Sequence, residues 1–309
     1  MAMFRFVLNR FVSMLVALWI IVTLTFFMMH AVPGGPFARE KRIPEAILKN
    51  IEARYRLDQP LSVQYVEYLQ RLIKWDLGPS FKWESRTVNQ IIREGFPVSA
   101  ALGMVSIVAA ILLSFPAGVI SALRQNRWQD NVAMSLSVIG IAVPSYVISA
   151  LLMYVFAYKL AWFPAALWGT PRHMILPAIA LAAQPCAYMA RLVRSSMLDV
   201  LNQDFIRTAK AKGLPGYLVL YKHAMKNALI PVITYLGPQV ANVTTGSFVV
   251  ERIFAIPGIG REYVYSIYNR DYTTIMGVTV FYAILLLGIN LFIDVIYALL
   301  DPRIQLEKR

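Results

Sequence analysis

The chain has 309 residues, of which 58% are hydrophobic and only 15% are charged. This composition excludes an ordinary soluble globular protein, in which apolar residues make up about 45–50% and charged residues about 25%. The formal net charge is +13, from 30 Lys and Arg against 17 Asp and Glu. In a membrane protein such an excess is typical of cytoplasmic loops, so it does not indicate a nucleic-acid partner.

Apolar runs in the sequence are long enough to cross a lipid bilayer, which takes about 20 residues. The first run is longer than the core of a signal peptide, so it predicts an uncleaved first span. Together the runs predict an all-α integral membrane protein with six transmembrane helices. The predicted spans are residues 11–30, 98–123, 132–157, 173–194, 228–250 and 274–300.

The segment between the first two spans is polar and differs from the rest of the chain. Pro44 begins a helical stretch, PEAILKNIEARYRL, and a second amphipathic stretch follows from Leu61. These patterns predict a small helical extracytoplasmic segment. The chain is therefore predicted to divide into residues 1–95 (first span and this segment), residues 96–302 (five spans and a cytoplasmic helix) and a cytoplasmic tail, residues 303–309.

Lysine and arginine residues in the short loops predict the orientation of the chain. The two ends, with the loops on their side of the membrane, carry 14 of these residues, against 5 in the short loops on the other side. Both termini, and the loop between the fourth and fifth spans, are therefore predicted to face the cytoplasm.

Residues 204–215, DFIRTAKAKGLP, form a basic, Ala-rich stretch in that cytoplasmic loop. Their composition favours a short helix in which Lys210 and Lys212 lie at the negative end of the helix dipole. Gly213 is placed for a left-handed C-cap, and Pro215 for the start of a second helix. Two interpretations remain open: the stretch lies among lipid headgroups, or it is a docking helix for a cytoplasmic motor protein.

Polar residues inside the predicted spans allow functional and structural interpretations. Asn290 and Asp294 share one helical face, and an intramembrane carboxylate is a candidate for an ion relay. Asp294 lies close to the cytoplasmic end of its span, however, so pairing with water or a basic side chain is favoured. Gln184 and Asn242 either line a polar pathway or bond to a neighbouring helix.

Motifs that carry enzyme chemistry are absent from the sequence. It contains no G-x-x-x-x-G-K-[ST] loop for ATP phosphates, no H-E-x-x-H zinc motif and no G-x-S-x-G nucleophile elbow. His30, His173 and His223 lie far apart in the sequence, which gives a metal site little support. We therefore predict no catalytic, cofactor-binding or metal-binding residue. A membrane-embedded enzyme or assembly factor would need a ligand-like cluster, and none is visible.

An ion-coupled secondary transporter, with Asp294 as its coupling site, is an alternative from another class. Such transporters are built from internal repeats with discontinuous helices near the bilayer midplane. The sequence shows no internal repeat, which counts against this alternative.

Nine motifs follow one another along the whole chain. They are PGGPF (33–37), RYRLDQPLSVQYVEYL (54–69), DLGPSFK (76–82), FPVSAALG (96–103), VPSYV (143–147), ARLVRSSMLDVLNQDFIRTAKAKGL (190–214), ERIFAIPGIG (251–260), NRDY (269–272) and DPRI (301–304). Together they resemble the permease subunits of ABC importers, of the peptide-permease B type and most specifically the oligopeptide branch.

In that family a cytoplasmic motif, E-A-A-x-x-x-G, forms a coupling helix that docks into a groove of an ATPase subunit. Residues 207–209 occupy the E-A-A positions here, with Arg207 in place of Glu, and Gly213 occupies the glycine. The downstream I-x-L-P pattern is lost at residues 223–226, and both departures resemble the peptide branch. The resemblance implies an ATPase-docking site made of Phe205, Ile206, Arg207, Thr208, Ala209, Lys210, Ala211, Lys212, Gly213 and Leu214.

The resemblance also implies a type I ABC importer permease fold in a bacterial inner membrane. The expected partners are a second homologous permease subunit, two cytoplasmic ATPase subunits that hold ATP and magnesium, and an extracytoplasmic binding protein that largely sets specificity. Oligopeptides are the expected substrate, with dipeptides, glutathione and nickel complexes as alternatives. Pro257, Gly258 and Gly260 are expected in a structured loop over the outer mouth of the pathway, for which an ordinary connector is the alternative.

Overall fold

The computed structural model describes residues 2–33, 35, 56–83, 85–244 and 247–300, with only the backbone for residues 2–4, 244 and 296–300. The helix predicted from Pro44, the PGGPF and DPRI motifs and the tail 303–309 lie wholly or largely outside these ranges. In chain order the helices are α1 (Ala2–Ala31), α2 (Leu61–Ile73), α3 (Val88–Leu123), α4 (Trp128–Ala142), α5 (Ser145–Leu152), the π-helix π1 (Met153–Lys159), α6 (Pro171–Leu201), α7 (Asp204–Ala211), α8 (Gly216–Leu218), the π-helix π2 (Val219–Ala224), α9 (Met225–Ala228), α10 (Ile230–Thr244), α11 (Phe248–Ile253), α12 (Ile259–Asn269) and α13 (Tyr272–Leu300).

Within the described ranges the chain is helical, and its β-type pairing is limited to an isolated bridge between Pro79 and Thr87. The prediction of an all-α protein is confirmed. The helices long and apolar enough to cross a membrane correspond to the first, second, fourth and sixth predicted spans. These helices are Arg5–Ala31, Val88–Leu123, Pro171–Leu201 and Tyr272–Val295.

The predicted third span, residues 132–157, is not one continuous helix. The chain bends by 109° between α4 and α5. Pro144 explains the break, because a proline ring disfavours helical backbone in the residue before it. Val143 is accordingly extended, with φ −86° and ψ 121°. The third predicted span is therefore a bent helix pair in this structure, and whether the pair crosses the membrane as one span stays a prediction.

The predicted fifth span, residues 228–250, is described as the shorter helices α9, α10 and α11. Pro238 lies inside α10. The long helices and the bent pair account for up to five spans by length and composition. The count of six spans therefore stays a prediction.

The chain packs as two compact units, Met1–Pro97 with Arg261–Arg309, and Val98–Gly260. In the first unit α1 packs along α13, and Phe26 shares a buried cluster with Tyr272 and Met276. This packing groups the last predicted span with the first, whereas the three-part division of the sequence at residues 95 and 302 stays a prediction.

The second unit is built around α6. Helices α4, α5, α9, α10 and α11 all pack against it, and Met189, Val193 and Met197 are among its buried residues. Pro177 and Pro185 lie inside α6 without ending it. Because the chain continues directly from α6 into α7, this central helix positions the candidate site.

Small residues allow α3 to approach α6 closely. A Cβ atom on Gly118 would lie 2.6 Å from the Ala190 carbonyl oxygen, and a backbone atom cannot rotate away. We therefore expect Gly118→Ala to lower the free energy of unfolding by about 1–3 kcal/mol, measured by thermal unfolding of the purified protein in detergent.

Gly288→Ala is the matched control for this substitution. Gly288 also lies in a long apolar helix, α13, but a Cβ atom there meets nothing within 4 Å, and Ala favours helix over Gly. Equal melting temperatures for the two variants would contradict the close packing of α3 on α6.

Candidate functional site

The basic stretch singled out in the sequence forms the short helix α7. Asp204 lies in its first turn and Lys210 in its last, so both charges match the helix dipole. Gly213 has φ +75°, and its amide donates to the Lys210 carbonyl at 3.0 Å, while the Leu214 amide donates to the Ala209 carbonyl at 3.4 Å. This is the Schellman arrangement, and the predicted glycine stop is confirmed.

One side of α7 is buried in the core of the second unit. Ile206 is fully buried and Ala209 is 6% exposed, and both belong to the apolar cluster that contains Met189 and Val193 of α6. Residues three apart lie on one helical face, and here that face points inward. Ile206 and Ala209 therefore anchor α7 to the core, and the docking role of the segment stays a prediction.

The other side of α7 is open. Arg207 is 75% exposed and lies 3.5 Å from the exposed carboxylate of Asp204, and Leu214 is half-buried against the apolar cluster. We call the exposed residues of this segment the docking surface. It consists of Asp204, Phe205, Arg207, Thr208, Lys210, Ala211, Lys212 and Gly213.

Two exposed tyrosines extend the docking surface along the chain, and the sequence interpretation missed them. Tyr217 in α8 is 63% exposed and Tyr221 in π2 is 65% exposed. Their four-residue spacing just after the Gly213 stop is the signal that points to them. Aromatic side chains of this kind are enriched at protein–protein interfaces.

A buried ion pair holds the end of α6 that leads into α7. Asp130 at the start of α4 is 2% exposed and accepts hydrogen bonds from Arg194 Nε at 2.6 Å and Nη2 at 2.7 Å. The Asp130 carboxylate also accepts hydrogen bonds from Ser121 Oγ and, at 2.8 Å, from the backbone N–H of Asn126. One carboxylate thus ties α3, α4 and α6 together. The sequence interpretation missed Asp130, although a carboxylate in the first turn of an apolar helix is a signal for it.

Gln184 and Asn242 line one cavity in the second unit, with a volume of about 440 Å³. Gln239, Ser145 and Ser247 line it too, and sequence inspection singled out none of these three. The residues that line this cavity lie at the break between α4 and α5, on α6, on α10 and at the start of α11. The structure thus brings the two predicted polar residues together, while a role in a pathway stays a prediction.

Asn290 and Asp294 lie one turn apart in α13, which belongs to the other unit. The Nε atom of Arg10 in α1 lies 3.2 Å from Oδ2 of Asp294. A basic side chain therefore pairs with this carboxylate, in agreement with the interpretation that the sequence favours, and a further role for Asp294 stays a prediction.

The ERIFAIPGIG loop is built on the buried carboxylate of Glu251. Its Oε2 accepts a hydrogen bond from the Gly260 amide at 2.9 Å, and the Ile259 amide donates to Ser99 Oγ at 2.9 Å. A Cβ atom on Gly258 would collide with the Glu251 carboxylate and with Ser99 Oγ. Position 258 therefore requires glycine, because a larger residue would clash with Glu251 and Ser99. The position of this loop at an outer mouth stays a prediction.

The DLGPSFK and NRDY motifs meet at Asp271, just before α13. Asp271 Oδ1 accepts hydrogen bonds from the amides of Phe81 at 3.1 Å and Thr274 at 3.2 Å. Oδ2 accepts from Thr274 Oγ1 at 2.8 Å and from Ser80 Oγ. One buried carboxylate therefore caps α13 and fixes the loop.

The same loop is tied to α2 through Asp76. Its carboxylate accepts hydrogen bonds from Arg71 Nε and from the Gly78 amide, both at 3.0 Å. Burial alone would raise the pKa of Asp76, but these hydrogen bonds and the Arg71 charge lower it on balance. The carboxylate therefore stays ionised to a lower pH than an unperturbed Asp, and its contact to α2 persists with it.

Replacing Asp271 by Ala is expected to lower the free energy of unfolding by about 3 kcal/mol, because buried donors lose a charged acceptor. Thermal unfolding in detergent measures the change. Asp58→Ala is the matched control, since Asp58 is an exposed carboxylate in the same unit. If both variants melt at the same temperature, Asp271 does not hold the loop.

The class of protein follows from the match to family models. Residues 114–306 match the binding-protein-dependent transport system inner membrane component, and residues 3–103 match the N-terminal segment of such membrane components. The chain belongs to this family and is a multi-pass permease of the inner membrane.

Individual relatives narrow the class. The chain is 52% identical over 307 residues, 99% of its length and all of the relative, to the dipeptide transport system permease protein DppB of Bacillus subtilis. It is 43% identical over 305 residues, 98% of its length and all of the relative, to the oligopeptide transport system permease protein OppB of Salmonella typhimurium. A crystal structure of an amino acid ABC transporter with histidines shares the fold, with a TM-score of 0.55 and 15% identity over 67% of this chain and 93% of that chain.

Proposed function

We propose that the chain is the permease subunit of an ATP-driven importer that carries peptides across the bacterial cytoplasmic membrane. The observation that carries the proposal is similarity from end to end to permease proteins of dipeptide and oligopeptide transport systems. The proposed partners are a second homologous permease subunit, two ATPase subunits that hold ATP and magnesium, and an extracytoplasmic peptide-binding protein.

The docking surface is the proposed attachment point for one ATPase subunit. Arg207, Lys210 and Lys212 give it a positive face that suits an acidic groove, and the buried Ile206 and Ala209 fasten it to the core. A helix that is anchored on one side and stopped by glycine transmits displacement to α6 instead of bending. ATP-driven closure of the ATPases supplies the differential contacts that a switch between inward-facing and outward-facing states requires.

The proposed orientation places both termini and α7 in the cytoplasm. The distribution of Lys and Arg supports this orientation: 14 of these residues lie on the proposed cytoplasmic side, against 5 in the short loops on the opposite side. The loop at Pro257, Gly258 and Gly260 then lies on the extracytoplasmic side, where we propose that it packs over the pathway or touches the binding protein.

The proposed substrate class is peptides, with oligopeptides as its first candidate from the PGGPF and DLGPSFK motifs. Relatives named for dipeptides and for oligopeptides both match over the whole chain, so peptide length is assigned to the binding protein instead of to this subunit. No observation on the described residues favours glutathione or nickel complexes over peptides.

Uptake of radiolabelled Ala-Ala-Ala tests the proposal in a strain that depends on this chain and its partner subunits. Inactivating the ATPases at the lysine of their phosphate-binding loop is expected to abolish uptake while this chain remains in the membrane. A protonophore, with ATP held constant, is the control and leaves uptake unchanged. Uptake that survives without ATPase activity but stops with the protonophore would establish an ion-coupled transporter instead.

A further inference from the structure

The cavity beside Gln184 has an uncharged lining in which side-chain amides and hydroxyls lie among apolar residues. Its described lining residues contribute the amides of Gln184, Gln239 and Asn242 and the hydroxyls of Ser145 and Ser247, and no charged side chain lies among them. The volume of about 440 Å³ falls within the range of about 300–1,000 Å³ for small-molecule sites. Docking of an ATPase on α7 does not explain this cavity.

The amides belong to continuous faces of two helices. Gln184 and Tyr188 lie four residues apart on α6, and Tyr235, Gln239 and Asn242 follow the spacing of one face on α10. The rings of Tyr188 and Tyr235 stack with their centroids 4.3 Å apart, which joins the two faces. The exposed amide of Gln184 would lack a partner in lipid, so this surface faces a polar environment.

Interrupted helices add backbone groups to the same cavity. Val143 and Ser145, on either side of the break at Pro144, both line it. Leu181 and Pro185 line it as well, and Pro185 has no N–H to donate to the Leu181 carbonyl, its normal helical partner. Irregular backbone at membrane depth is tolerated where it lines a water-filled or ligand-filled space.

We infer that this cavity is a transient binding site for the main chain of a peptide in transit, an inference that rests on the proposed peptide-import function. A side-chain amide both donates and accepts hydrogen bonds, so Gln184 and Gln239 pair with the C=O and N–H groups that every peptide carries. A lining without charge does not select between acidic and basic side chains. The site therefore binds peptides through their main chain, which all peptides share.

The test compares uptake of Ala-Lys-Ala with that of Ala-Asp-Ala. Gln184→Glu is expected to raise the Lys-to-Asp uptake ratio about tenfold over the native chain, because the new charge attracts one peptide and repels the other. Thr234→Glu is the matched control: Thr234 is exposed on α10, lies outside the cavity lining and leaves the ratio unchanged. Any preference of the binding protein is the same in all strains and cancels.

Two further variants make every outcome decisive. Gln239→Leu is expected to lower uptake of both peptides alike, by about fivefold, and Asn242→Asp repeats the charge test if Gln184→Glu does not accumulate. A native chain that imports neither peptide overturns the proposed function. Native import with unchanged ratios in the acidic variants overturns the binding site alone. Loss of the second permease subunit from purified Gln239→Leu protein also overturns it, because the cavity is then a subunit contact.

Discussion

Asp130→Ala is expected to lower the free energy of unfolding by about 3–5 kcal/mol, the largest loss that we predict for one substitution in this chain. Arg194 then keeps its partly buried guanidinium without the carboxylate that accepts hydrogen bonds from it at 2.6 and 2.7 Å. Ser121 and the Asn126 amide lose the same acceptor. Thermal unfolding in detergent and the amount of protein in the membrane fraction measure the effect.

Two controls separate the buried ion pair from charge in general. Asp204→Ala removes an exposed carboxylate that lies 3.5 Å from Arg207, and its cost is expected to stay below about 1 kcal/mol. Asp130→Leu combined with Arg194→Met replaces both charges by apolar groups and is expected to recover much of the stability lost by Asp130→Ala. Native-like melting of Asp130→Ala would show that the pair does not hold α6 in place.

Gly213→Val is expected to reduce peptide uptake at least about tenfold while the chain still inserts into the membrane. The φ of +75° at Gly213 costs an L-residue about 1–2 kcal/mol, and a β-branched side chain suffers most. A Cβ atom would meet nothing within 4 Å, so the penalty comes from backbone strain alone. The strained end of α7 shifts, and the docking surface loses its fixed position. Uptake of Ala-Ala-Ala and recovery of the ATPase subunits on purification measure the result.

Gly216→Val provides the matched control three residues further along the chain. Gly216 is also open around its Cβ position and lies in α8 without a positive φ. Its replacement is expected to keep most of the uptake, and so is Gly213→Asn, because Asn tolerates the left-handed conformation. If Gly213→Val imports as well as Gly216→Val, the glycine stop is not needed for coupling.

Local patterns in the sequence were sufficient to predict the long helices and the ends of α7. Apolar runs longer than about 20 residues identify membrane helices without knowledge of their neighbours. The glycine stop at Gly213 depends on a few adjacent residues, and the structure confirms it. Both features are determined by residues that are close together in the sequence.

Features that depend on distant residues were not predictable in the same way. Asp130 and Arg194 are 64 residues apart, so nothing local shows that they pair. Ile206 and Ala209 were placed in the implied docking site, and only tertiary packing shows that their side of α7 points inward. A proline inside a span either kinks or breaks the helix. At Pro144 the chain bends by 109°, and residues on both sides of the bend line the cavity.

Cysteine crosslinking along α7 tests most directly whether this helix docks an ATPase subunit. Each residue from 204 to 212 is replaced in turn by Cys in a chain whose single native cysteine, Cys186, is changed to Ser. Exposed positions such as Phe205, Arg207 and Thr208 are expected to crosslink to the ATPase, and the buried positions Ile206 and Ala209 are not. Failure at every exposed position, with protection of those cysteines by lipid vesicles alone, would place α7 at the membrane surface and contradict ATPase docking.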